Sequence, residues 1–262
     1  MCFQRNKEFT SNPANMGIMK WEIFEKLMSQ IEYGELYSIV LASRGEPLLN
    51  ENIHKMIVMA KEKGVMDVKL NTNAVLLTEE KSRQLLSTGL DQIVFSVDSA
   101  VPQHYKNIRG ADLEIVSSNI KKFVEIKNTE FKDSNIKTRI SMVINDIYKE
   151  NMCSEVEISK EYWKGIIDEV AFKTENDFCG IYEDHDISDP KCCDLLWERM
   201  YIWQDGTVNP CDIDHLSSLK LGNIKEQTIS EMWNGKQMEK LREQHLHNRG
   251  NMSCVCDNCV GY

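Results

Sequence analysis

Between Tyr37 and Lys173, short runs rich in β-branched and other apolar residues alternate with longer segments whose apolar positions recur every three or four residues. Runs of the first kind predict strands, and the second spacing predicts amphipathic helices. Strands are expected at Tyr37–Ala42, Asp67–Asn71, Gln92–Val97, Lys137–Ile144 and Glu169–Lys173. Helices are expected at Glu51–Lys63, ended by Gly64, at Glu79–Ser87, with Thr78 as N-cap and Gly89 as stop, and at Leu113–Lys127. Strands and helices in this rhythm argue for βαβ units around a parallel sheet.

Beyond Lys173 the alternation dissolves into a polar, acidic stretch, Glu175 to Asp189, that closes on Pro190. It reads as a solvated linker or as a gate over a site, and it marks the expected division into domains 1–180 and 190–262. In the second domain, Asp205-Gly206 between two strand-like runs signals a β-hairpin that would present Cys211 at the end of its second strand. A helix from Ile229 to about Arg242 would return the chain to the last cysteines.

Composition narrows the function. With 262 residues, 42% of them apolar, the chain can bury a sizeable core. A net charge of −10 and a pI near 5.2 argue against a nucleic-acid partner, whose phosphates call for clustered Lys and Arg. No apolar run approaches the roughly 20 residues needed to cross a bilayer, and no signal-peptide pattern is evident, so no membrane is expected and the cytoplasm is the expected address.

Nine cysteines are many for a reducing compartment, where disulfides rarely persist, so metal or catalytic roles gain weight. Six of them, Cys192, Cys193, Cys211, Cys254, Cys256 and Cys259, crowd the C-terminal end, whereas Cys153 and Cys179 read as small buried hydrophobes. Cys256-x-x-Cys259 brings two thiols onto one turn, and two more from distant loops would close a four-sulfur site for zinc or an iron–sulfur cluster. His245 and His247 lie two apart and diverge on a helix, which predicts solvent exposure for both.

In parallel α/β folds ligands sit at the carboxyl ends of strands. The residues there are polar: Arg44-Gly45-Glu46-Pro47 after the first strand, Thr72-Asn73 after the second, Asp98-Ser99 after the third. Each has a plain alternative as a turn or a helix cap. There is no Gly-x-Ser-x-Gly elbow, no Gly-x-Gly-x-x-Gly loop and no P-loop, which removes the hydrolase and nucleotide-loop classes these motifs mark.

The ordered elements Cys193-x-x-Leu-Trp197, Asp205-Gly-Thr-Val-x-Pro-Cys211, Leu221-Gly-Asn-Ile, Ile229-x-Glu-x-Trp-Asn234 and Cys256-x-x-Cys259 resemble the SPASM auxiliary-cluster domain in its shortened, single-cluster twitch form. The resemblance implies that Cys193, Cys211, Cys256 and Cys259 ligate an auxiliary [4Fe–4S] cluster, with Cys192 and Cys254 as alternates. The preceding chain then resembles the radical S-adenosylmethionine (SAM) core, an α/β fold built as a partial (β/α)6-type, TIM-like barrel. Gly45-Glu46-Pro47 resembles the family's Gly-Gly-Glu-Pro segment, whose backbone receives the SAM amino group, with Arg44 in place of the first glycine. Thr72-Asn73 resembles the family's Thr-Asn-Gly, with Ala74 in place of glycine. Ser96-Val-Asp98 resembles the segment near the ribose, and Arg109 an arginine that can reach the SAM carboxylate. Arg139 is a weaker candidate.

Met1-Cys2-Phe3-Gln4 resembles the end of the family's Cys-x-x-x-Cys-x-x-Cys motif. Cys2 would then be the third ligand of the SAM-binding [4Fe–4S] cluster, with the first two lying before residue 1, or else an incidental cysteine. The resemblance implies an oxidoreductase-type enzyme that cleaves SAM reductively to a 5′-deoxyadenosyl radical, and a chain inactive as it stands. It also implies a peptide, sugar or small-metabolite substrate and an electron donor such as flavodoxin or ferredoxin. The competing expectations are a zinc-stabilised α/β binding module and a catalytically dead remnant.

Overall fold

The computed structural model describes residues 7–12, 15–42, 44–144, 152–174, 192–247, 254–257 and 259. Cys2, Cys179 and the acidic stretch from Glu175 to Asp189 lie outside them. The chain forms two compact units, one of residues Ile31–Glu175 and one that joins Met1–Gln30 to Asn176–Tyr262.

Helices α1 (Lys7–Ser11) and α2 (Trp21–Ser29) come first among the described residues. The first unit then runs β1 (Ser38–Leu41), a 3-10 turn (Pro47–Leu49), α3 (Ile53–Glu62), β2 (Asp67–Thr72), α4 (Glu79–Leu86), β3 (Gln92–Ser96), α5 (Pro102–Arg109), α6 (Leu113–Glu130), β4 (Lys137–Ile144), α7 (Met152–Trp163) and β5 (Glu169–Thr174). The five strands form one all-parallel sheet in sequential order, β1 through β5. This is the expected α/β architecture.

Apolar positions explain the elements. In β2, Val68 and Leu70 are buried with Thr72 at alternate positions, and in β4 Thr138, Ile140 and Met142 are. Helix α6 buries Leu113, Val116, Ile120, Phe123 and Ile126 along one stripe, and Phe123 meets Phe95 of β3 edge-on at 5.8 Å between ring centres. Thr78 caps α4 by accepting from the Lys81 amide at 3.3 Å. Gly64 and Gly89, foreseen as stops, both take left-handed backbone.

Each seam of the sheet carries a carboxylate that takes a main-chain amide from the neighbouring strand or its extension. Asp91, before β3, accepts from Val68 N at 2.8 Å, and Asp168, before β5, accepts from Thr138 N at 2.7 Å and Thr138 Oγ1 at 2.8 Å. At the carboxyl ends, Glu46 accepts from Asn73 N at 2.8 Å and Asp98 from Val143 N at 2.9 Å. Hydrogen bonds to charged acceptors are stronger than neutral ones, so these contacts fasten strands where the ladder runs out.

In the second unit, α8 (Leu195–Glu198) precedes the hairpin β6 (Tyr201–Ile202) and β7 (Thr207–Asn209), to which β8 (Gly222–Asn223) adds an antiparallel third strand. Helices α9 (Ile229–Trp233), α10 (Lys236–His247) and α11 (Cys254–Asp257) follow. The single helix expected from Ile229 is thus two, because Asn234 ends α9 and Gly235 separates it from α10.

By their contacts, residues Met1–Gln30 group with residues Asn176–Tyr262. Side chains account for this: Phe9 is buried against the ring of His215, Lys26 Nζ donates to the Lys225 carbonyl at 2.7 Å, and Ile229 N donates to Gln30 Oε1 at 2.8 Å. Among the described residues, no helix is long and apolar enough to cross a membrane.

Two outcomes test the carboxylate contacts. Burial works against ionisation of Asp168, but hydrogen bonds from Thr138, together with Lys127 and Lys137, outweigh it and hold the carboxyl below its ordinary value. A carboxylate lowered in the folded state stabilises fully above its unfolded pKa of about 4, and the contribution is lost as pH falls through the lower folded value. Asp168→Asn is therefore expected to flatten the acid limb of unfolding free energy against pH, and an unchanged limb would count against the contact. Glu46→Ala strips Asn73 N, Leu48 N and Thr72 Oγ1 of their acceptor. It is expected to cost on the order of 1–3 kcal/mol in urea denaturation with no ligand present.

Candidate functional site

The carboxyl end of the sheet gathers the predicted polar residues into two clusters. In the first, Gly45 lies in an exposed bend and Glu46 is the N-cap of the 3-10 turn begun by Pro47. Glu46 Oε1 accepts from Leu48 N at 3.0 Å and from Thr72 Oγ1 at 2.6 Å, while Oε2 takes Asn73 N. Thr72 Oγ1 in turn accepts from Ala74 N at 3.0 Å, and Asn73 Oδ1 from Val75 N at 3.0 Å. Asn73 is therefore a turn residue rather than a helix cap.

Ala74 has a φ of 59°, the left-handed backbone that suits the glycine expected at this position of the motif. Its carbonyl is held by Asn119 Nδ2 at 2.9 Å. The departure from Thr-Asn-Gly thus keeps the glycine conformation, at the cost of backbone strain.

In the second cluster, buried Asp98 binds Arg109 Nε through Oδ2 and Val143 N through Oδ1. Asp98 does not cap α5, whose N-cap is Val101. Arg109, in the last turn of α5, is thereby anchored through one guanidinium nitrogen. Tyr105, one turn earlier, is fully buried, and its hydroxyl has no hydrogen-bond partner among the described residues. Burial, opposed by the nearby Arg109 charge and reinforced by Asp98, raises its phenol above the ordinary value. Ser96 ends β3 half-buried, in register with Ser141 of β4. Arg139 is aligned with Val94 and Glu169 and lies 3.5 Å from Glu169.

One network was not foreseen. Buried Glu155 of α7 accepts from Ser99 Oγ at 2.7 Å through one oxygen and pairs with His104 Nδ1 through the other. Ser99 follows Asp98, so adjacent residues of the loop after β3 reach to two different partners. No spacing rule connects Glu155 to residues more than fifty positions earlier.

The second unit holds the thiols. Cys192, Cys193, Cys211, Cys256 and Cys259 are thiols rather than half-cystines. Asp205 Oδ1 accepts from Thr207 N at 2.9 Å, and Gly206 has a φ of 89°, which together form the hairpin turn that leads to Cys211. The charge of Cys259 bears on the Cys211 thiol. Burial, with Asp212 beside it, pushes the Cys211 thiol up to about 12, while the main-chain amides of Ile213 and Asp214 act in the opposite direction. A metal cation would supply the charge that reverses the effect of burial.

Cys193 N donates to His245 Nδ1 at 3.3 Å. His245 is buried and His247 exposed, so the exposure expected of both holds for one. Met238, Leu241 and His245 lie three and four apart, the spacing of a buried helical stripe, which was the overlooked signal. Among the described residues, no three His, Cys, Asp or Glu side chains are grouped to hold a metal ion. Thiols are the donors an iron–sulfur cluster takes, and Cys2 lies outside the described residues.

Comparison with known proteins places both units. Residues 1–151 match the model of the radical SAM superfamily, and residues 192–260 match SPASM, an iron–sulfur cluster-binding domain. A probable GTP 3′,8-cyclase of Methanococcus maripaludis is 32% identical over 132 residues, which is 50% of this chain and 43% of that protein. The GTP 3′,8-cyclase of Clostridium botulinum is 31% identical over 127 residues, covering 47% and 39%. The chain therefore spans less than half the length of these curated relatives.

Among solved structures, native anSMEcpe with bound AdoMet superposes with a TM-score of 0.67 at 17% identity, covering 93% of this chain and 81% of that one. BtrN in complex with AdoMet and 2-DOIA gives 0.60 at 19% identity, covering 94% and 82%. These likenesses are of fold. With the superfamily model matched over more than half of its length, the chain belongs to the radical SAM superfamily of enzymes and carries a C-terminal SPASM domain, which implies SAM and [4Fe–4S] clusters as its cofactors.

Proposed function

We propose that the full-length protein is an oxidoreductase-type radical SAM enzyme that removes a hydrogen atom from an organic substrate, with an auxiliary [4Fe–4S] cluster assisting. The observation that carries this reading is the pair of clusters at the carboxyl end of the sheet, Glu46-Thr72-Asn73 and Asp98-Arg109, in a chain that also carries an iron–sulfur domain. SAM bound to a reduced cluster supplies the chemistry, a 5′-deoxyadenosyl radical that takes the substrate hydrogen.

The chain's own residues have binding and orienting roles. The Glu46 carboxylate already serves three donors, so the ammonium of SAM falls to main-chain carbonyls of the Gly45-Glu46-Pro47 segment, whose shape Glu46, Thr72 and Asn73 maintain. Arg109, fixed on Asp98, presents a planar cation suited to the SAM carboxylate. Ser96 and Asp98, at the end of β3, border the ribose. Cys2 belongs to the SAM-binding cluster, and Cys193, Cys211, Cys256 and Cys259 hold the auxiliary one. In this reading residues 1–180 are the partial barrel and residues 190–262 the auxiliary domain. An electron donor of the flavodoxin or ferredoxin class serves the protein in the cytoplasm.

The relatives named as GTP 3′,8-cyclases match no more than half of this chain, and a solved neighbour has a peptide bound. Peptide, sugar and small-metabolite substrates all remain within the proposal.

Extending the chain upstream to complete the three-cysteine motif, reconstituting it anaerobically and adding dithionite with SAM is expected to release 5′-deoxyadenosine. The 262-residue chain alone is expected to release none, yet to be brown and hold about four irons in its auxiliary site. A fully iron-loaded extended protein that forms no 5′-deoxyadenosine would overturn the enzymatic reading. A colourless protein with one zinc would replace it with the binding module.

A further inference from the structure

Only 5% of Glu155, in α7, is exposed, and both of its carboxylate oxygens are engaged. A carboxylate is costly to bury, and a folded chain keeps one inside where it bonds to groups that need it. Oε2 accepts from the Ser99 hydroxyl at 2.7 Å, and Oε1 pairs with His104 Nδ1. Both partners stand at the amino end of α5. Ser99 Oγ also accepts from the amide of Val101, the N-cap residue, at 2.9 Å, and His104 is the third residue of the helix.

Helix α5 depends on such support. Its N-cap makes no side-chain bond and its first turn carries no acidic residue, so its own sequence leaves the amino end without the usual acceptor or negative charge. Of its eight residues Tyr105 and Ile108 are the buried ones, so packing holds it along a narrow strip. Glu155, reaching from α7, brings a carboxylate to that end. The carboxyl end is held differently, by Arg109 Nε on Asp98. Asp98 directly precedes Ser99, so the two ties meet on adjacent residues of one loop. A helix tied at one end pivots about the tie, whereas one tied at both ends of its length of about 12 Å is fixed in direction.

We propose that Glu155 is a positioning residue for SAM: by holding Ser99 and His104 it fixes α5, and so the direction in which Arg109 presents its guanidinium. The proposal rests on the assignment of Arg109 to the SAM carboxylate, and Glu155 itself touches no ligand. A guanidinium pairs with a carboxylate in a directional, two-pronged way, so tilting α5 weakens the pairing even though the Arg109 charge remains.

Glu155→Leu removes both bonds at similar volume, whereas Glu155→Gln can still accept from Ser99 and donate to a neutral His104. In the 262-residue chain, hydrogen exchange over residues 101–110, read by mass spectrometry, is expected to be roughly tenfold faster in Glu155→Leu than in wild type, with exchange in β2 and β3 unchanged. In the extended, cluster-loaded protein, SAM binding read by calorimetry is expected to weaken roughly tenfold in Glu155→Leu and less than about twofold in Glu155→Gln. Adding Glu155→Leu to Arg109→Ala is expected to weaken binding no further than Arg109→Ala alone, because both act through one contact. Unchanged exchange over residues 101–110 or unchanged SAM affinity in Glu155→Leu overturns the proposal. So does a Glu155→Gln that loses as much as Glu155→Leu, or a double variant in which the losses add. If Glu155→Leu does not fold, Ser99→Ala, which removes one of the two bonds, is judged by the same outcomes. An Arg109→Ala variant that binds SAM as wild type does, or a loaded wild-type protein that binds none, refutes the assignment of Arg109 instead, and the proposal with it.

Discussion

The parallel sheet depends on acceptors placed where its hydrogen-bond ladder ends. Interior amides of a parallel ladder are met by the next strand, but those just outside it must find a partner or pay for desolvation. Here Glu46, Asp91, Asp98 and Asp168 meet that need, one at each of the four seams. Asp91 also holds the Lys61 ammonium at 2.8 Å, and Asp168 takes a second bond from the Thr138 hydroxyl, so each carboxylate is a small network of its own.

Two of these carboxylates stand at the amino ends of strands and two at the carboxyl ends, where a ligand would lie. For Glu46 and Asp98, the architecture and the proposed SAM-binding role therefore draw on the same atoms. Glu46 fixes the shape of the loop after β1 by binding the end of β2. Asp98 fixes the end of β4 with one oxygen and orients the Arg109 guanidinium with the other. In the proposed binding surface these side chains are held by protein hydrogen bonds without a ligand, which limits the ordering that binding must accomplish.

Most of the sheet was legible in the chain. β4 was read with its observed bounds because Thr138, Ile140 and Met142 alternate with less buried neighbours. α5 was not foreseen, since Tyr105 and Ile108 are the buried residues of an otherwise polar helix and leave little periodic signal. The motif residues of the site were found in sequence, but their contacts were not. The plain alternatives of helix caps at Asn73 and Asp98 failed, and the bonds that Thr72 donates to Glu46 and Ser99 donates to Glu155 join residues too far apart for local rules. His245 was missed for another reason. Its spacing from His247 says that the two rings diverge, while its spacing from Met238 and Leu241 says which one is buried.

The unit that joins residues 1–30 to residues 176–262 has a consequence for the order of events during synthesis. The sheet unit, Ile31–Glu175, is continuous and its strands pair with their sequence neighbours, so it can fold as soon as it leaves the ribosome. The segment carrying Phe9, Lys26 and Gln30 must wait for partners nearly two hundred residues later, Ile229 for Gln30 and Lys225 for Lys26. Contacts of such long range close late and slowly. The unit that carries the C-terminal thiols is thus completed only after the sheet unit has left the ribosome.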